Sequence, residues 1–535
     1  MICRITKRHL YTIIMITTGL LFVACRESGT NKIQEETDQS FQPYFQEQHR
    51  PQFHFSPERM WMNDPNGMVY YENEFHLFYQ YYPDSTVWGP MHWDHAVSTD
   101  LIHWEHLPIA LYPDALGYIF SGSAVVDWKN TSEFGAGNDP PLVAIFTYHK
   151  IEGERAGDND FQTQGIAYSN DKGRTWTKYG GNPVIPNPGI KDFRDPKVIG
   201  YQPSQKWVMV LTAFDHVRLY NSNNLKDWEL VSEFGHDQGS HGGVWECPDL
   251  FPLMTDTGEE MWVMIVSLGD GAPNGGSGTQ YFVGNFDGKT FTNKNPKEQV
   301  LWLDYGRDNY AGVTWSDIPE EDGRRIFLGW MSNWKYAQVV PTDSWRSAMT
   351  LPRTLELKNT EAGLRLVTKP VEEIRNILGE SVELKPQTLA RGEELVIGTS
   401  TEIDRCLLEL TISTGEAGKF LIEMSNVENQ RLLVGYDGRR DEFFIDRTAS
   451  GKSGFSNEFS GVHTAPRISK SPHINLKLFL DVSSVEVFAD QGEVLLTDVF
   501  FPDSNYHAIR LISEEGDAEI VKGKLTSIKS IWRED

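Results

Sequence analysis

The chain has 535 residues and a formal charge of −26; 39% of its residues are hydrophobic and 12% aromatic. That apolar share excludes a disordered chain. A surface so acidic repels phosphate backbones and anionic headgroups, which argues against nucleic acid as a partner and leaves neutral ligands open.

The N-terminus reads as an address. Residues 1–9 carry Arg4, Lys7 and Arg8, and an apolar run follows from Leu10 to Ala24. About 15 residues is short for a membrane span, which needs roughly 20, and suits the core of an export signal. The run ends Leu21-Phe22-Val23-Ala24-Cys25, which resembles a bacterial lipoprotein signal with lipid on the Cys25 sulfur. Phe22 departs from the more usual Leu, and an ordinary signal peptide or an uncleaved anchor is the alternative. The expectation is a signal peptide over 1–24, a flexible tether over 25–50, and an exported lipoprotein of the outer membrane. The membrane is then met only through the lipid, facing the periplasm or the cell surface. Cys247 and Cys406 alone remain beyond this region, in different expected domains, so no disulfide framework is expected. No CxxC or His-rich cluster suggests a structural metal.

A repeat of about 60 residues follows. Five short apolar strands recur at Phe75–Tyr81, Leu142–Tyr148, Trp207–Phe214, Met261–Leu268 and Ile326–Met331. Between them recurs a turn with Asp, Asn or Gly and then an aromatic residue, as in Ser98-Thr99-Asp100 with Trp104 and Ser169-Asn170-Asp171 with Trp176. One such unit cannot bury its own apolar face, and radial repetition solves that. The pattern predicts an all-β fold opening with a five-bladed β-propeller over 51–357; a β-sandwich or β-helix is the alternative. A linker with a short helix is expected over 358–380, because Val371, Ile374, Ile377 and Leu378 share one helical face. Alternating strands without the repeat then predict a C-terminal β-sandwich over 381–535.

Three acidic residues stand out in segments rich in Gly and Pro. Asp64 lies in Trp61-Met62-Asn63-Asp64-Pro65-Asn66-Gly67, Asp195 in Phe193-Arg194-Asp195-Pro196, and Glu246 in Trp245-Glu246-Cys247-Pro248-Asp249. Asp before Pro is common in ordinary turns, and each alone reads best that way. All three fall at matching places, just before a blade's central strand, where innermost strands converge on the axis. Glycoside hydrolysis needs a nucleophile and an acid flanking the bond.

These residues are recognisable as a set. WMNDPNG at 61–67, FYQYYP at 78–83, FSGSAV at 120–125, FRDP at 193–196 and ECPD at 246–249 stand in the order found in glycoside hydrolase family 32. PNPGIKDFRDPKV at 186–198 and GWMSNW at 329–334 look closest to its levanases and inulinases, and SSVEVF at 483–488 is similar to a strand of the family's sandwich. The resemblance covers about 50–535.

The resemblance implies that Asp64 is the nucleophile, Glu246 the general acid and base, and Asp195 the transition-state stabiliser. It implies retention, for which the Asp64 and Glu246 carboxyls are expected roughly 5–5.5 Å apart. Asn63, Gln80, Ser121 and Arg194 would bind fructose hydroxyls, and Trp88, Phe120 and Trp334 would wall the subsite. Core packing is the alternative for each aromatic. Arg194 would hold Asp64 or Asp195 ionised. Gln80 would find its partner in substrate or Asp64, and Cys247 reads as a small apolar filler. The pair in His92-Trp93-Asp94-His95 reads as structural; no metal and no cofactor are implied. The leading expectation is an exo-acting β-fructosidase releasing fructose from levan, inulin, fructo-oligosaccharides or sucrose. An endo-levanase, or a non-catalytic fructan-binding surface lipoprotein, is the alternative.

Overall fold

The computed structural model describes residues 44–532, apart from 138, 401–402 and 416–417. The expected signal peptide, Cys25 and most of the tether lie outside the described residues.

Five antiparallel sheets follow one another along the chain. Blade I is built on Met60–Tyr71, Glu74–Tyr82, His92–Ser98 and Glu105–Leu111. Blade II starts at Tyr118–Val126, blade III at Phe193–Tyr201, blade IV at Trp245–Met254 and blade V at Tyr310–Thr314. These five first strands are the innermost, and each neighbours the next, with blade V returning to blade I. The ring is closed twice by main chain. Met60–Trp61 pairs in parallel with Trp345–Arg346, and across blades I and V the Tyr70 amide donates to the Ser316 carbonyl while the Ser316 amide donates to the Met68 carbonyl.

The five apolar runs are the second strands of the five blades, and packing explains why they look so uniform. Side chains alternate across a strand, and here both faces are covered by a neighbouring blade. In Lys206–Ala213, Val208 and Val210 pack with Leu250 and Met264 of blade IV. Met209 and Leu211 pack with Ile145 and Ile166 of blade II. The recurring turn residues close the third and fourth strands. Asp100 Oδ1 accepts from the Ile102 and His103 amides, and Asn224 Oδ1 from those of Lys226 and Asp227.

The sequence expectation ends the propeller at 357. The structure carries blade V further, through Arg353–Thr360 and its outer partner Gly363–Pro370. The expected helix is a single 3-10 segment, Glu372–Ile377, which buries Ile374 and Ile377. Nearly half of the expected linker is therefore blade strand; its turn residues and modest apolar content hide the edge pairing.

The tether expectation also needs correction at its end. Arg50 is buried, bonded to the Glu47 carboxylate at 2.6 Å and to the Pro57 and Glu58 carbonyls, and its guanidinium lies over Phe45 and Trp345. A polar segment with few apolar residues is thus anchored by one fully satisfied arginine.

From Leu378 the chain forms two sheets of seven and six strands face to face. Leu408, Leu410 and Ile412 point into the shared core with Ile422, Val434 and Leu511. This is the expected β-sandwich. Its seam with the propeller is polar and buried. Glu486 accepts from Arg353 Nη2 at 2.7 Å, His54 Nε2 at 3.0 Å and the Leu351 amide at 2.7 Å. Asp308 accepts from Arg447 Nη1 and Tyr336 Oη, each at 2.6 Å.

Candidate active site

Every innermost strand is broken at the same place. In each, two residues oppose one residue of the second strand: Asn63-Asp64, Phe120-Ser121, Asp195-Pro196, Cys247-Pro248 and Ala311-Gly312. A β-bulge re-aims side chains and releases the ladder locally. That release suits proline, which has no amide hydrogen to give. Asp195, Cys247 and Ala311, each the first residue of its bulge, have φ of 67°, 45° and 52°. The Asp-Pro and Cys-Pro pairs are therefore bulges within strands, not the turns that each motif alone suggests.

The bulges set the site out in layers. The residues just before them in blades III, IV and V are Arg194, Glu246 and Tyr310. Arg194 Nε and Nη2 donate to Glu246 Oε1 at 3.0 and 2.9 Å. Tyr310 Oη donates to Glu246 Oε2. The carboxylate is thus gripped from both sides by its register equivalents. Arg194 also donates to Asp192 Oδ1 at 2.6 Å. Burial opposes the Arg194 charge, but the carboxylates of Glu246, Asp195 and Asp192 outweigh it and hold the guanidinium firmly protonated. Its hydrogen bonds go to Glu246, Asp192 and Gln162; of the two aspartates that the sequence reading expects it to hold ionised, its charge acts on Asp195.

Within the bulges lie the other two acids. Asp64 Oδ2 accepts from Ser121 Oγ at 2.7 Å and Oδ1 from Asn63 Nδ2 at 3.0 Å. Asn63 is itself fixed by Trp61 Nε1 at 2.8 Å. Burial, then the charge of Glu246, push the Asp64 carboxyl up; Ser121, Asn63 and Cys247 pull the other way. Asp195 Oδ2 accepts from the Cys247 amide at 3.0 Å, and its own amide donates to Thr147 Oγ1 at 2.9 Å. Burial pushes its carboxyl up, the Arg194 charge opposes this, and Glu246 and Asp64 push it further up. Cys247 stands between them, with Sγ 3.5 Å from Asp64 Oδ2 and 3.7 Å from Asp195 Oδ2. It is a polar spacer as well as the small filler expected. Burial and the three carboxylates push its thiol well above the ordinary range.

The remaining expected residues gather around this centre. Gln80 opposes the Asn63-Asp64 bulge and donates to the Ile119 carbonyl at 3.0 Å, so a backbone group supplies the partner expected from substrate or Asp64. Phe120 lies flat on His149, centroids 4.1 Å apart, and edge-on to Trp88 at 6.0 Å. Burial, then Arg194, lower His149 to about 4, which keeps that ring neutral. Trp334 packs on Trp330 at 4.9 Å and Trp61 at 5.9 Å. Trp88, Phe120 and Trp334 are all partly buried. His92 and His95 make only structural contacts, to the Pro90 carbonyl and to His76.

Sequence reasoning misses Tyr310, Asp192, Thr147 and His149. Register is the available signal: Tyr310 holds in blade V the place that Glu246 holds in blade IV. Among the described residues one group, Asp215, His216 and His236, brings metal-ligand atoms within 4.8 Å of one another. Its imidazoles stack at 3.9 Å and Glu233 already pairs with His236 and Arg218, so ring packing and ion pairing account for the group.

Comparison with known proteins places this architecture. Residues 54–370 match the model of the glycosyl hydrolases family 32 N-terminal domain, and 373–528 that of the family's C-terminal domain. A levanase of Bacillus subtilis (strain 168) is 51% identical over 530 residues, covering 98% of this chain and 76% of that protein. An extracellular exo-inulinase of Aspergillus niger is 41% identical, covering 92% and 96%. The crystal structure of exo-inulinase from Aspergillus awamori superposes with a TM-score of 0.84 at 39% identity, covering 91% of this chain and all of that one. With both domains matched in order around one bulge-built carboxylate centre, the chain belongs to glycoside hydrolase family 32.

Proposed function

We propose that the chain is a retaining, exo-acting fructan β-fructosidase. One observation supports this most: Asp64, Asp195 and Glu246, from three blades, share one buried network in which Cys247 joins the first two and Arg194 with Tyr310 grips the third. Asp64 attacks the anomeric C2 of a terminal fructofuranosyl unit. Glu246 protonates the leaving oxygen, then takes a proton from the water that releases fructose. Asp195 accepts hydrogen bonds from ring hydroxyls as positive charge develops. Once Glu246 carries its proton, its repulsion of Asp64 vanishes, and Ser121 and Asn63 are left to hold Asp64 ionised. In this reading Asn63, Gln80, Ser121 and Arg194 take sugar hydroxyls, with Trp88, Phe120 and Trp334 as walls. The exo-inulinase names of relatives that align over most of the chain support exo action.

The test is chromatography of early products from levan, inulin and sucrose, with Asp64→Asn as the blank. Fructose alone from the first time point is expected. A ladder of oligosaccharides would overturn exo action, and products from the blank would overturn the assignment of Asp64.

A further inference from the structure

Blade III differs from the others at the site end. Its second strand ends at Ala213, which pairs with Phe193 beside Arg194, so the hairpin that follows turns at the mouth of the site. That hairpin has two loop residues, Phe214 and Asp215, because Ala213 pairs with His216. The corresponding connections of blades I, II, IV and V run over 83–91, 150–161, 269–277 and 332–352, with a short helix in blade II and only a 3-10 segment and two two-residue strands in blade V. The wall around the funnel is lowest at blade III.

Phe214 sits on this low wall. Its amide donates to the Asp192 carbonyl at 2.7 Å, and its carbonyl accepts from the Trp245 amide at 2.8 Å. Asp192 holds Arg194, and Trp245 precedes Glu246, so Phe214 bridges the two segments that carry the acid. The residue is 51% exposed and belongs to none of the hydrophobic clusters among the described residues. Its φ is 66°. Two-residue hairpins with positive φ favour Asn, Asp or Gly, and a bulky residue there is strained. Phenylalanine therefore costs the fold both in backbone strain and in exposed apolar area. Strain kept beside a reactive group points to use of the side chain.

We propose that Phe214 is the platform on which a sugar of the leaving chain stacks as it passes out over blade III. This rests on the reading of Glu246 as the acid, because the acid marks the leaving-group side of the scissile bond. An exposed aromatic ring gives a sugar ring an apolar face to lie on without fixing its linkage. Phe214 touches no reacting atom; it sets preference for substrates with a sugar leaving group over those without one.

The experiment compares a β-fructan trisaccharide with methyl β-D-fructofuranoside, whose leaving group is methanol. Phe214→Gly and Phe214→Trp are made in the full chain. Phe214→Gly is expected to lower kcat/KM for the trisaccharide about three- to tenfold, as the loss of one aromatic contact implies. It leaves the methyl fructoside unchanged. Its thermal midpoint is equal to or above wild type, because glycine accepts the positive φ freely. Phe214→Trp retains the trisaccharide rate. Equal losses on both substrates, no loss on the trisaccharide, or a rate loss that tracks a fall in thermal midpoint would each overturn the proposal. A wild-type protein inactive on both substrates would instead remove the reading of the acid, and the proposal with it.

Discussion

Two of the buried carboxylate clusters among the described residues are built oppositely. At the propeller–sandwich seam, donors meet every charge. Glu486 has Arg353, His54 and a backbone amide; Asp498 has His463 and the Arg307 amide, with the Arg447 charge nearby. Burial alone would push both carboxyls up, but these cations outweigh it and hold them below the ordinary range. At the axis, Arg194 is the one guanidinium set against Asp64, Asp195 and Glu246, and both aspartates are pushed up. Burial is shared by the two regions, so burial does not make a carboxylate reactive. The balance of donors against charge does. The seam spends its charges on holding two domains together, while the axis leaves acceptor capacity for a ligand rich in hydroxyl groups.

The sharpest way to break the comparison is to remove charge from each side. Asp64→Asn is expected to cost about four or more orders of magnitude in kcat. It leaves thermal unfolding unchanged or improved, because it relieves repulsion from Glu246. Initial rates and a thermal melt on one preparation check both halves; a melt many degrees lower would mean that the axis is structural too. Arg353→Ala is the mirror experiment. It strands Glu486 and Asp304, which lies 3.1 Å from the same guanidinium, and is expected to cost about 3–5 kcal/mol in denaturant unfolding. The rate per folded molecule stays near wild type, since the partners of Arg353 lie at the seam and not among the bulges.

Titration sharpens the contrast further. His54 is fully buried between Asp481 and Glu486 at 2.8 and 3.0 Å. Burial opposes its charge, but the two carboxylates raise it to about 9 from an ordinary 6.5. The stability it supplies is complete below about pH 6.5 and is lost as pH climbs through about 9. Glu486, held low, supplies stability above its ordinary 4.5 that is lost on acidification. Thermal midpoints measured from pH 6 to 10 are expected to fall on the alkaline side, and His54→Gln is expected to flatten that fall. An unchanged slope in the variant would show that His54 is not the group responsible.

How much of this is legible in the sequence depends on scale. The five apolar runs give five blades because each middle strand is covered on both faces, which leaves a strong unbroken signal. Asp64, Asp195 and Glu246 look equivalent in the sequence because one bulge recurs in every blade, but they hold three successive places about it: Glu246 just before, Asp195 first within and Asp64 second. The bulge itself is invisible in any single motif, since Asp-Pro looks the same in a turn. Gly363–Pro370 reads as linker because its buried run, Arg365 to Thr368, mixes polar with apolar residues and shows no alternation. Arg194 is recognisable, but its partner is not: which carboxylate a guanidinium reaches depends on register between blades, and no spacing within one blade encodes that. Glu486 sits in a strand legible from its alternation and from its likeness to the family's sandwich, but its seam partners His54 and Arg353 lie 432 and 133 residues away.

Smaller changes at the axis probe its finer balance. Tyr310→Phe withdraws one donor from the ionised form of Glu246. It is expected to lower kcat/KM about tenfold, the worth of one hydrogen bond to a charged group. An unchanged rate would separate Tyr310 from the acid.

The smallest effect is expected at Cys247, and its smallness is informative. Two features of this residue have different origins. Its amide holds Asp195, and that contact belongs to the bulge backbone rather than to the thiol. The thiol itself makes only long contacts, at 3.5 and 3.7 Å, to the two aspartates. Cys247→Ala removes those and keeps the amide, so kcat is expected to fall less than about fivefold, in line with weak sulfur donors. Burial and three neighbouring charges suppress the thiolate, so iodoacetamide at pH 8 is expected to spare Cys247 in the native protein and to modify it after denaturation. Ready alkylation of the native thiol would mean that the carboxylates around it carry less charge than the bulge geometry implies. A hundredfold loss in Cys247→Ala would mean that the spacing between Asp64 and Asp195 is set by sulfur and not by backbone, and the axis would then owe its reactivity to one side chain rather than to a fivefold register.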